Sequence, residues 1–369
     1  MKDKTMCMVR PAQLKDKKDF DRLWDICFGD SEAFRSWFFE HRFLPDYSVV
    51  LEAEGEIRSC MQAFPYTISI RGKDITGAML CGVSTHPDHR KKGYMGKIFS
   101  FEMNHLRQIG CAVAVHTPAV LSSYFSFGHL PVADAAYLKR NVTVSQKKSE
   151  HMCMIKEKQW KELFPLYDHF AHKYSGIIKR TEKDFLRKAA DYAADGGKAI
   201  AYTEENQIKG YAFYYEMEKE ISCVEVVAED GYLTQLLEGL LSYYQGTVFT
   251  AKLPPEIDII LESAERKQKG VMGLCNISLL LKQLDLNIPY TFSLKDPVVP
   301  ENNGLFSFQG ERSDKNPVFE IEAGTLLQVL VGYFALSECK DRITVFDETK
   351  FNEIDCKLPK QKCYIIDEY

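Results

Sequence analysis

The chain has 369 residues, of which 45% are hydrophobic and 27% are charged, and its formal net charge is −5. This length allows two or three domains, and the negative charge disfavours a general nucleic-acid surface. No apolar run approaches the roughly 18 residues of a membrane helix, and the eleven cysteines include no C-x-x-C pair that would favour a zinc site. We expect a soluble cytoplasmic protein without a membrane segment, a bound metal or a nucleic-acid partner.

The first 45 residues are predicted to be helical, because aromatic side chains such as Trp24 and Phe38 recur at helical spacing. Aromatic residues in this pattern more often form a core than a binding site. Asp25, Phe28 and Trp37 are nevertheless candidates to line a substrate pocket.

A strand meander is predicted next, at residues 47–53, 57–63, 66–70 and 77–85. A helix is then expected from Tyr94, a strand at 111–117, a short helix that ends at Gly128, and a strand at 137–144 that closes the sheet. This order predicts a mixed sheet flanked by helices.

A basic loop that contains glycine joins the strand at 77–85 to the helix. Its candidate binding residues are Arg90, Lys91, Lys92, Gly93, Tyr94, Met95 and Gly96. The first N–H groups of a helix have no intrahelical partner and bind anions. Glycine lets the backbone approach a phosphate closely, and Arg and Lys add charge-assisted hydrogen bonds. The loop therefore predicts a pyrophosphate site.

Two other phosphate loops are excluded by the residues present. A Walker loop needs a Gly-Lys-Ser/Thr ending, and a dinucleotide fingerprint needs three spaced glycines followed by a distant acid. On the loop alone, a solvated basic turn before an ordinary core helix explains the pattern equally well.

Residues 147–282 repeat the order of elements of the first region, with a helix at 157–174, a hairpin at 200–216, a strand at 222–227 and a helix at 232–244. The loop of this second region, at 228–231, carries Glu229 and Asp230, which would repel a pyrophosphate. We expect a degenerate second copy without a cofactor.

Residues 283–369 are predicted to form a third unit. Strands are expected at 291–294 and 305–309, and a further strand leads into an apolar helix within 317–336. The sequence closes on KCYIIDEY, apolar and aromatic up to Tyr369. Because a frayed end is usually polar, we expect this segment to be buried.

The basic loop resembles motif A of the GNAT acyltransferases, R/Q-x-x-G-x-G/A. Arg90 and Gly93 match this motif, whereas Met95 replaces the last small residue and Gly96 comes one position late. Tyr124 starts a stretch that resembles the family's Y-x-x-x-G-F pattern except at its terminal aromatic residue. A tyrosine is more commonly a core residue with a satisfied hydroxyl, but the joint match favours a functional role.

Over its whole length the chain resembles the Eis-like (enhanced intracellular survival) GNAT N-acetyltransferases. This resemblance implies an α/β (α+β) fold of tandem GNAT-type mixed sheets flanked by helices, plus a C-terminal α/β domain. The implied domains are a GNAT acetyltransferase domain at 1–146, a degenerate GNAT-like domain at 147–282 and a sterol-carrier-protein-like domain at 283–369. A homo-oligomer, a hexamer in the resembled family, is also implied.

The resemblance further implies transfer of the acetyl group of acetyl-CoA to a primary amine. Val83, Ser84 and Thr85 would bind the pantetheine arm as an added strand. The implied general acid is Tyr124 and the implied general base is the C-terminal carboxylate of Tyr369. Chemically, an ammonium acceptor must lose a proton before it attacks, and the departing thiolate must gain one.

Two other classes of protein remain open. An acyl-CoA-binding sensor or scaffold would need the basic loop but not Tyr124. A hydrolytic metalloenzyme could use His86 with His89, or His169 with His172, although no third ligand accompanies either pair. The acyl acceptor is equally open among aminoglycosides, polyamines and lysine side chains.

Overall fold

The computed structural model describes residues 7–142, 149–244, 247–259 and 264–368 of the chain. Their strands form three sheets, of eight, seven and four strands. Within these described ranges, no helix is long and apolar enough to cross a membrane.

The first part of the chain contains the elements β1 Cys7–Pro11, α1 Lys17–Phe28, α2 Glu32–Arg42, β2 Ser48–Ala53, β3 Glu56–Ile70, β4 Lys73–Thr85, α3 Tyr94–Gln108, β5 Val113–His116, β6 Leu130–Pro131 and β7 Asp134–Asn141. The middle part contains β8 Met152–Ile155, α4 Phe164–Ala171, β9 Ile177–Lys179, α5 Glu182–Ala194, β10 Lys198–Glu204, β11 Gln207–Met217, β12 Glu220–Ala228, α6 Leu233–Tyr243, β13 Val248–Leu253, β14 Ala264–Gln268, β15 Val271–Leu274 and α7 Ile277–Leu284. The last part contains β16 Thr291–Lys295, β17 Gly304–Ser307, β18 Phe319–Glu322, α8 Ala323–Val331, β19 Thr344–Val345 and α9 Glu348–Lys357. Short 3-10 helices lie at Leu14–Asp16, Pro45–Tyr47, Pro87–His89, Leu121–Phe127, Glu157–Leu163, Pro255–Ile259, Pro300–Asn302 and Ser337–Arg342.

Most predicted strands and helices are confirmed, with two corrections near the N-terminus. The predicted helical region includes the strand β1, which pairs with β2. The strands predicted at 57–63 and 66–70 are one continuous strand, β3. Pro65 fits within it because β2 pairs with β3 only up to Gln62, and β9 pairs with β3 only from Thr67 onward. The missing N–H of the proline therefore costs no ladder hydrogen bond on that side.

The first two sheets exchange strands. The strand predicted to close the first sheet, β7, pairs instead with β13 and β14 in the second sheet, so that prediction was wrong. In return β15, which follows the second sheet's strands in the chain, pairs with β5 and β6 in the first. Apolar alternation in a sequence identifies a strand but does not identify the strand with which it pairs. The predicted domain boundaries at 146 and 282 stay predictions.

All nine residues of α8 are buried, and this helix, which follows β18 directly, lies against β15 and β6 of the first sheet. The third sheet has the order β17-β16-β18-β19. This sheet is an additional unit at the C-terminal end of the chain. From it the segment at 363–368 runs back between the first two sheets. Tyr364, Ile365, Ile366 and Asp367 are each at most 1% exposed, which confirms the predicted burial for these residues. Tyr369 lies outside the described residues.

Candidate active site

Two neighbouring parallel strands of the first sheet, β4 and β5, pair over a short stretch. β4 and β5 pair only from Gly77 with Val113 to Met79 with Val115. Beyond this point β4 bends at Gly82, whose φ of +58° lies in the left-handed region, and a Cβ there would lie 2.6 Å from the Trp24 ring. Glycine suits both the backbone conformation and the close contact. The bend leaves the side of β4 that faces away from β3 without a described strand partner at Val83 and Ser84.

The basic loop follows directly and returns to the end of β4. Arg90 donates from Nε to the carbonyl of Thr85 at 3.2 Å. Lys92 lies with its Nζ 3.2 Å from Nδ1 of His89. The pKa of His89 is lowered by burial and by the Lys92 charge. The loop is therefore a folded turn whose cations remain exposed.

Gly93 directly precedes α3 as its N-cap and lies in the left-handed region, with a φ of +76°. A Cβ added at this position would have no atom within 4 Å. The first hydrogen bond of this helix is from the N–H of Lys97 to the carbonyl of Gly93. The preceding N–H groups of the first turn lack an intrahelical acceptor and can bind an anion.

A cleft of about 440 Å³ lies between β4 and this loop and is called the loop cleft. Most predicted cofactor-binding residues line it, namely Val83, Ser84, Thr85, Arg90, Lys91, Gly93, Tyr94 and Met95. Lys92 and Gly96 are not among the residues that line it. This lining suits an extended arm that ends in a phosphate. The arm would lie along the free edge of β4 at Val83 and Ser84, and the phosphate would lie at Gly93 and the first turn of α3.

A second and larger space, of about 810 Å³, opens from the same place and is called the central cavity. Phe28, Val83, Met95 and Tyr124 line both spaces, so the two adjoin.

The three candidate substrate-pocket residues are not brought together. Phe28 lines the central cavity, whereas Asp25 and Trp37 do not. Asp25 forms an ion pair with Arg35 at 2.6 Å, and Trp37 packs against His41.

Tyr124 lies where the two spaces meet. It belongs to the 3-10 helix Leu121–Phe127, which ends at Gly128 in the left-handed region. Its ring packs on Phe99 and His116. Burial raises the pKa of Tyr124, so its hydroxyl stays protonated at neutral pH.

His116 also lines the central cavity, although the sequence analysis did not single it out. Its Nε2 lies 3.1 Å from Nδ1 of His129. Burial lowers the pKa of His116 to about 3, and burial together with His116 lowers that of His129. Both rings are therefore neutral at pH 7.

Three acids of the cavity wall were also missed, namely Asp30, Asp191 and Asp195. Trp24 donates to Asp30 at 2.6 Å. The pKa of Asp195 is raised by burial and by the charge of Asp30. These acids come from the first and second regions of the chain, and no local motif marks them. The cavity wall thus combines aromatic side chains with these carboxylates and with the lysines Lys188 and Lys269. The aromatic rings and the carboxylates are the groups that suit a cationic guest.

The C-terminal segment supplies the last part of the wall through Glu368. Lys252 and Lys269 contact its carboxylate at 2.9 and 2.6 Å. Although burial acts in the opposite direction, these two charges lower the pKa of Glu368 to about 2. Tyr369, the predicted base, follows Glu368 but lies outside the described residues.

The loop of the second region carries two acids, and each of them forms an ion pair. Glu229 pairs with Lys209 at 3.0 Å and Asp230 pairs with Lys173 at 2.5 Å. The loop therefore presents two acids in ion pairs where the first loop presents cations.

The two histidine pairs that the sequence offered as metal ligands lie in the described ranges. His86 and His89 lie with ring centroids 5.9 Å apart, and no cluster of three His, Cys, Asp or Glu side chains that could hold a metal occurs among the described residues.

Residues 8–131 match the acetyltransferase (GNAT) domain family. No curated protein matches the chain in sequence. A conserved protein of unknown function from Enterococcus faecalis V583 is 17% identical, with a TM-score of 0.80, and the match covers 99% of this chain and 100% of that one. The GCN5-related N-acetyltransferase from Anabaena variabilis is 13% identical, with a TM-score of 0.83 and the same coverage. Eis1 from Mycobacterium abscessus is 14% identical, with a TM-score of 0.74 and again the same coverage.

At these identities the solved structures show a shared fold over the whole chain. The family match falls on the part that contains β4, β5, the basic loop and the whole of the short helix with Tyr124. Residues 8–131 therefore form a GNAT acetyltransferase domain, and the protein is an acyltransferase.

Proposed function

We propose that the protein transfers the acetyl group of acetyl-CoA to a primary amine that is cationic in solution, such as a polyamine, an aminoglycoside or a lysine side chain. The observation that carries this proposal is that the loop cleft and the central cavity adjoin and share Tyr124 in their walls. GNAT acetyltransferases use acetyl-CoA, and the loop cleft has the free strand edge and helix start that such a donor needs. The carboxylates and aromatic rings of the cavity suit a cationic acceptor.

The residues divide the chemistry between them. Backbone groups of Val83 to Thr85 hold the pantetheine arm, and the loop at 90–96 holds the pyrophosphate. Asp30 and Asp195 attract the ammonium form of the acceptor. Tyr124 donates its hydroxyl proton to the departing thiolate, and the α-carboxylate of Tyr369 takes the proton of the attacking amine.

A closer relation to the Eis-like enzymes is part of this proposal. It is supported by the three sheets of the described residues and by the C-terminal segment, whose Glu368 lines the cavity. The sterol-carrier-protein likeness of the third unit, the hexamer and the cytoplasmic location stay predictions from the sequence resemblance.

Thiol release from acetyl-CoA tests the function directly. Purified protein is mixed with acetyl-CoA and a panel of primary amines, and the acetylated amine is identified by mass. We expect turnover that depends on the amine and one acetyl group per released thiol. Tight acetyl-CoA binding without turnover of any amine would instead support an acyl-CoA-binding sensor.

A further inference from the structure

A cysteine of β1 and a lysine near the start of α3 meet outside the candidate active site. The Nζ atom of Lys97 lies 2.7 Å from Sγ of Cys7, and the two residues are 90 positions apart in the chain. Cys7 is half-buried and packs against a core cluster that includes Ile98 and Phe99 of α3, whereas Lys97 is exposed. The thiol therefore lies against α3, with the lysine amine beside it.

This distance between nitrogen and sulfur is shorter than an ordinary hydrogen bond to sulfur. N–H···O hydrogen bonds measure about 2.7–3.2 Å, and sulfur is both larger than oxygen and a weaker acceptor. Two arginines of the same structure keep a longer spacing from a cysteine sulfur. Arg342 lies 3.0 Å from Cys339, and Arg90 lies 3.7 Å from Cys27.

The contact also orders a side chain that gains little from a weak hydrogen bond. An exposed lysine loses much rotamer freedom when its terminal group is fixed, and a thiol sulfur returns little in exchange. Of the described residues, only Cys7 accepts a hydrogen bond from Nζ of Lys97. A covalent link between the two side chains accounts for both the short distance and the order.

We propose that Cys7 and Lys97 form a modification site, at which oxidation joins Sγ to Nζ through a single bridging oxygen atom. The oxidant is molecular oxygen, and the lysine reacts as the neutral amine after its ammonium proton has passed to solvent. One N–H bond, the S–H bond and the O–O bond break, and an N–O bond and an O–S bond form. The second oxygen atom leaves as water with the two hydrogens.

The electrons of this step balance. Nitrogen and sulfur each lose two electrons, and the oxygen molecule takes up all four. The sulfur is then at the oxidation level of a sulfenic acid, which is reversible. Two molecules of a dithiol return the four electrons and release the amine, the thiol and water.

The bridge ties the first strand to the helix that begins at the basic loop. Gly93 lines both the loop cleft and the shallow groove that contains Cys7 and Lys97. A cross-link between positions this far apart restricts the unfolded chain, as a disulfide does, and therefore stabilises the fold. This inference does not depend on the proposed function.

Intact mass and peptide mapping of the full chain test the bridge, with protein exposed to air and protein treated with dithiothreitol. We expect the air-exposed chain to gain one oxygen atom and lose two hydrogens, and the peptides that contain Cys7 and Lys97 to be joined. Dithiothreitol should separate them. A sulfenic acid on Cys7 alone adds oxygen without loss of hydrogen and leaves the peptides separate, so that result would contradict the bridge.

Two conservative variants remove one partner each. Cys7→Ser keeps a small polar side chain, Lys97→Arg keeps the positive charge, and neither should give the joined peptides. The matched control is Cys356→Ser, which removes an exposed cysteine of α9 and should still give them. Dithiothreitol should lower the melting temperature of wild type and of the control by several degrees, and that of the two bridge variants not at all.

The inference is overturned if the two peptides stay separate in air-exposed wild type, or if Cys7 is joined to another cysteine instead. A response of the melting temperature to dithiothreitol that is the same in all four proteins would overturn it as well. The mass readout applies even to a variant that folds poorly, because it does not depend on stability.

Discussion

Tyr124 and His116 meet edge to face in the wall of the central cavity, with their ring centroids 4.4 Å apart. His116 is neutral because burial lowers its pKa to about 3, so it adds no positive charge that would favour a phenolate. Tyr124 is thus held as a protonated hydroxyl between the loop cleft and the cavity.

We expect Tyr124→Phe to lower turnover by roughly 10²- to 10⁴-fold, the usual contribution of a general acid. The ring and its packing on Phe99 remain, so acetyl-CoA affinity and melting temperature should stay close to wild type. Steady-state kinetics and calorimetric titration on the same samples check both points. A loss of less than a few-fold would assign the acid role to water or to another group.

Acetyl-CoA should bind at one site per chain, in the loop cleft. The double variant Arg90→Ala, Lys91→Ala should weaken binding by at least tenfold, because both side chains line the loop cleft and charge-assisted hydrogen bonds contribute roughly 1.5 to 3 kcal/mol each. The matched control removes Lys173 and Lys209 beside the second region's loop and should leave affinity unchanged. Two sites per chain in the titration would contradict the degenerate second copy.

Gly82→Ala should destabilise the protein and weaken acetyl-CoA binding together. A left-handed non-glycine residue costs about 1–2 kcal/mol, and overpacking against Trp24 adds about 1–3 kcal/mol. Gly29→Ala is the control, since its φ is +76° but no atom lies within 4 Å of the new Cβ. Urea unfolding should show a larger loss for Gly82→Ala, and only this variant should lose affinity. Equal losses of stability would mean that the Trp24 contact has no effect.

Glu368 should stabilise the protein in a pH-dependent way. Lys252 and Lys269 lower its pKa to about 2 against the opposing effect of burial, so its folded-state pKa lies below the unfolded value. Its contribution is then fully present above about pH 4.5 and is lost as the pH falls towards about 2. Glu368→Gln should therefore lower the melting temperature at neutral pH, and the difference from wild type should shrink near pH 3. A constant difference across this range would contradict the ion-pair account.

Adding one glycine after Tyr369 should abolish acetyl transfer while acetyl-CoA still binds. The extension converts the carboxylate into an amide, which is not a base, and moves the new carboxylate by up to about 3.3–3.6 Å. An amino-terminal tag of similar size is the control and should be harmless. If the extended protein folds and transfers acetyl groups at the native rate, the general base is a side chain or water and not the carboxylate of Tyr369.

Local sequence was sufficient for most of the residues that line the loop cleft. The residues from Val83 to Gly96 are contiguous, so the strand, the turn and the helix start that they form depend on neighbouring residues and on glycine's backbone freedom at Gly93. Tyr124 could also be found from a short pattern. For the same reason most helices and strands were predicted correctly.

Only the tertiary structure decided which distant residues meet. Hydrophobic alternation shows that β7 and β15 are strands, but the sheet that each joins depends on non-local pairing. The cavity acids Asp30 and Asp195 and the lysines that hold the C-terminal segment are far apart in the chain. These residues are close together because the sheets and helices that carry them pack against one another. The sequence shows which face of each element is apolar, but it does not show which other element packs against that face.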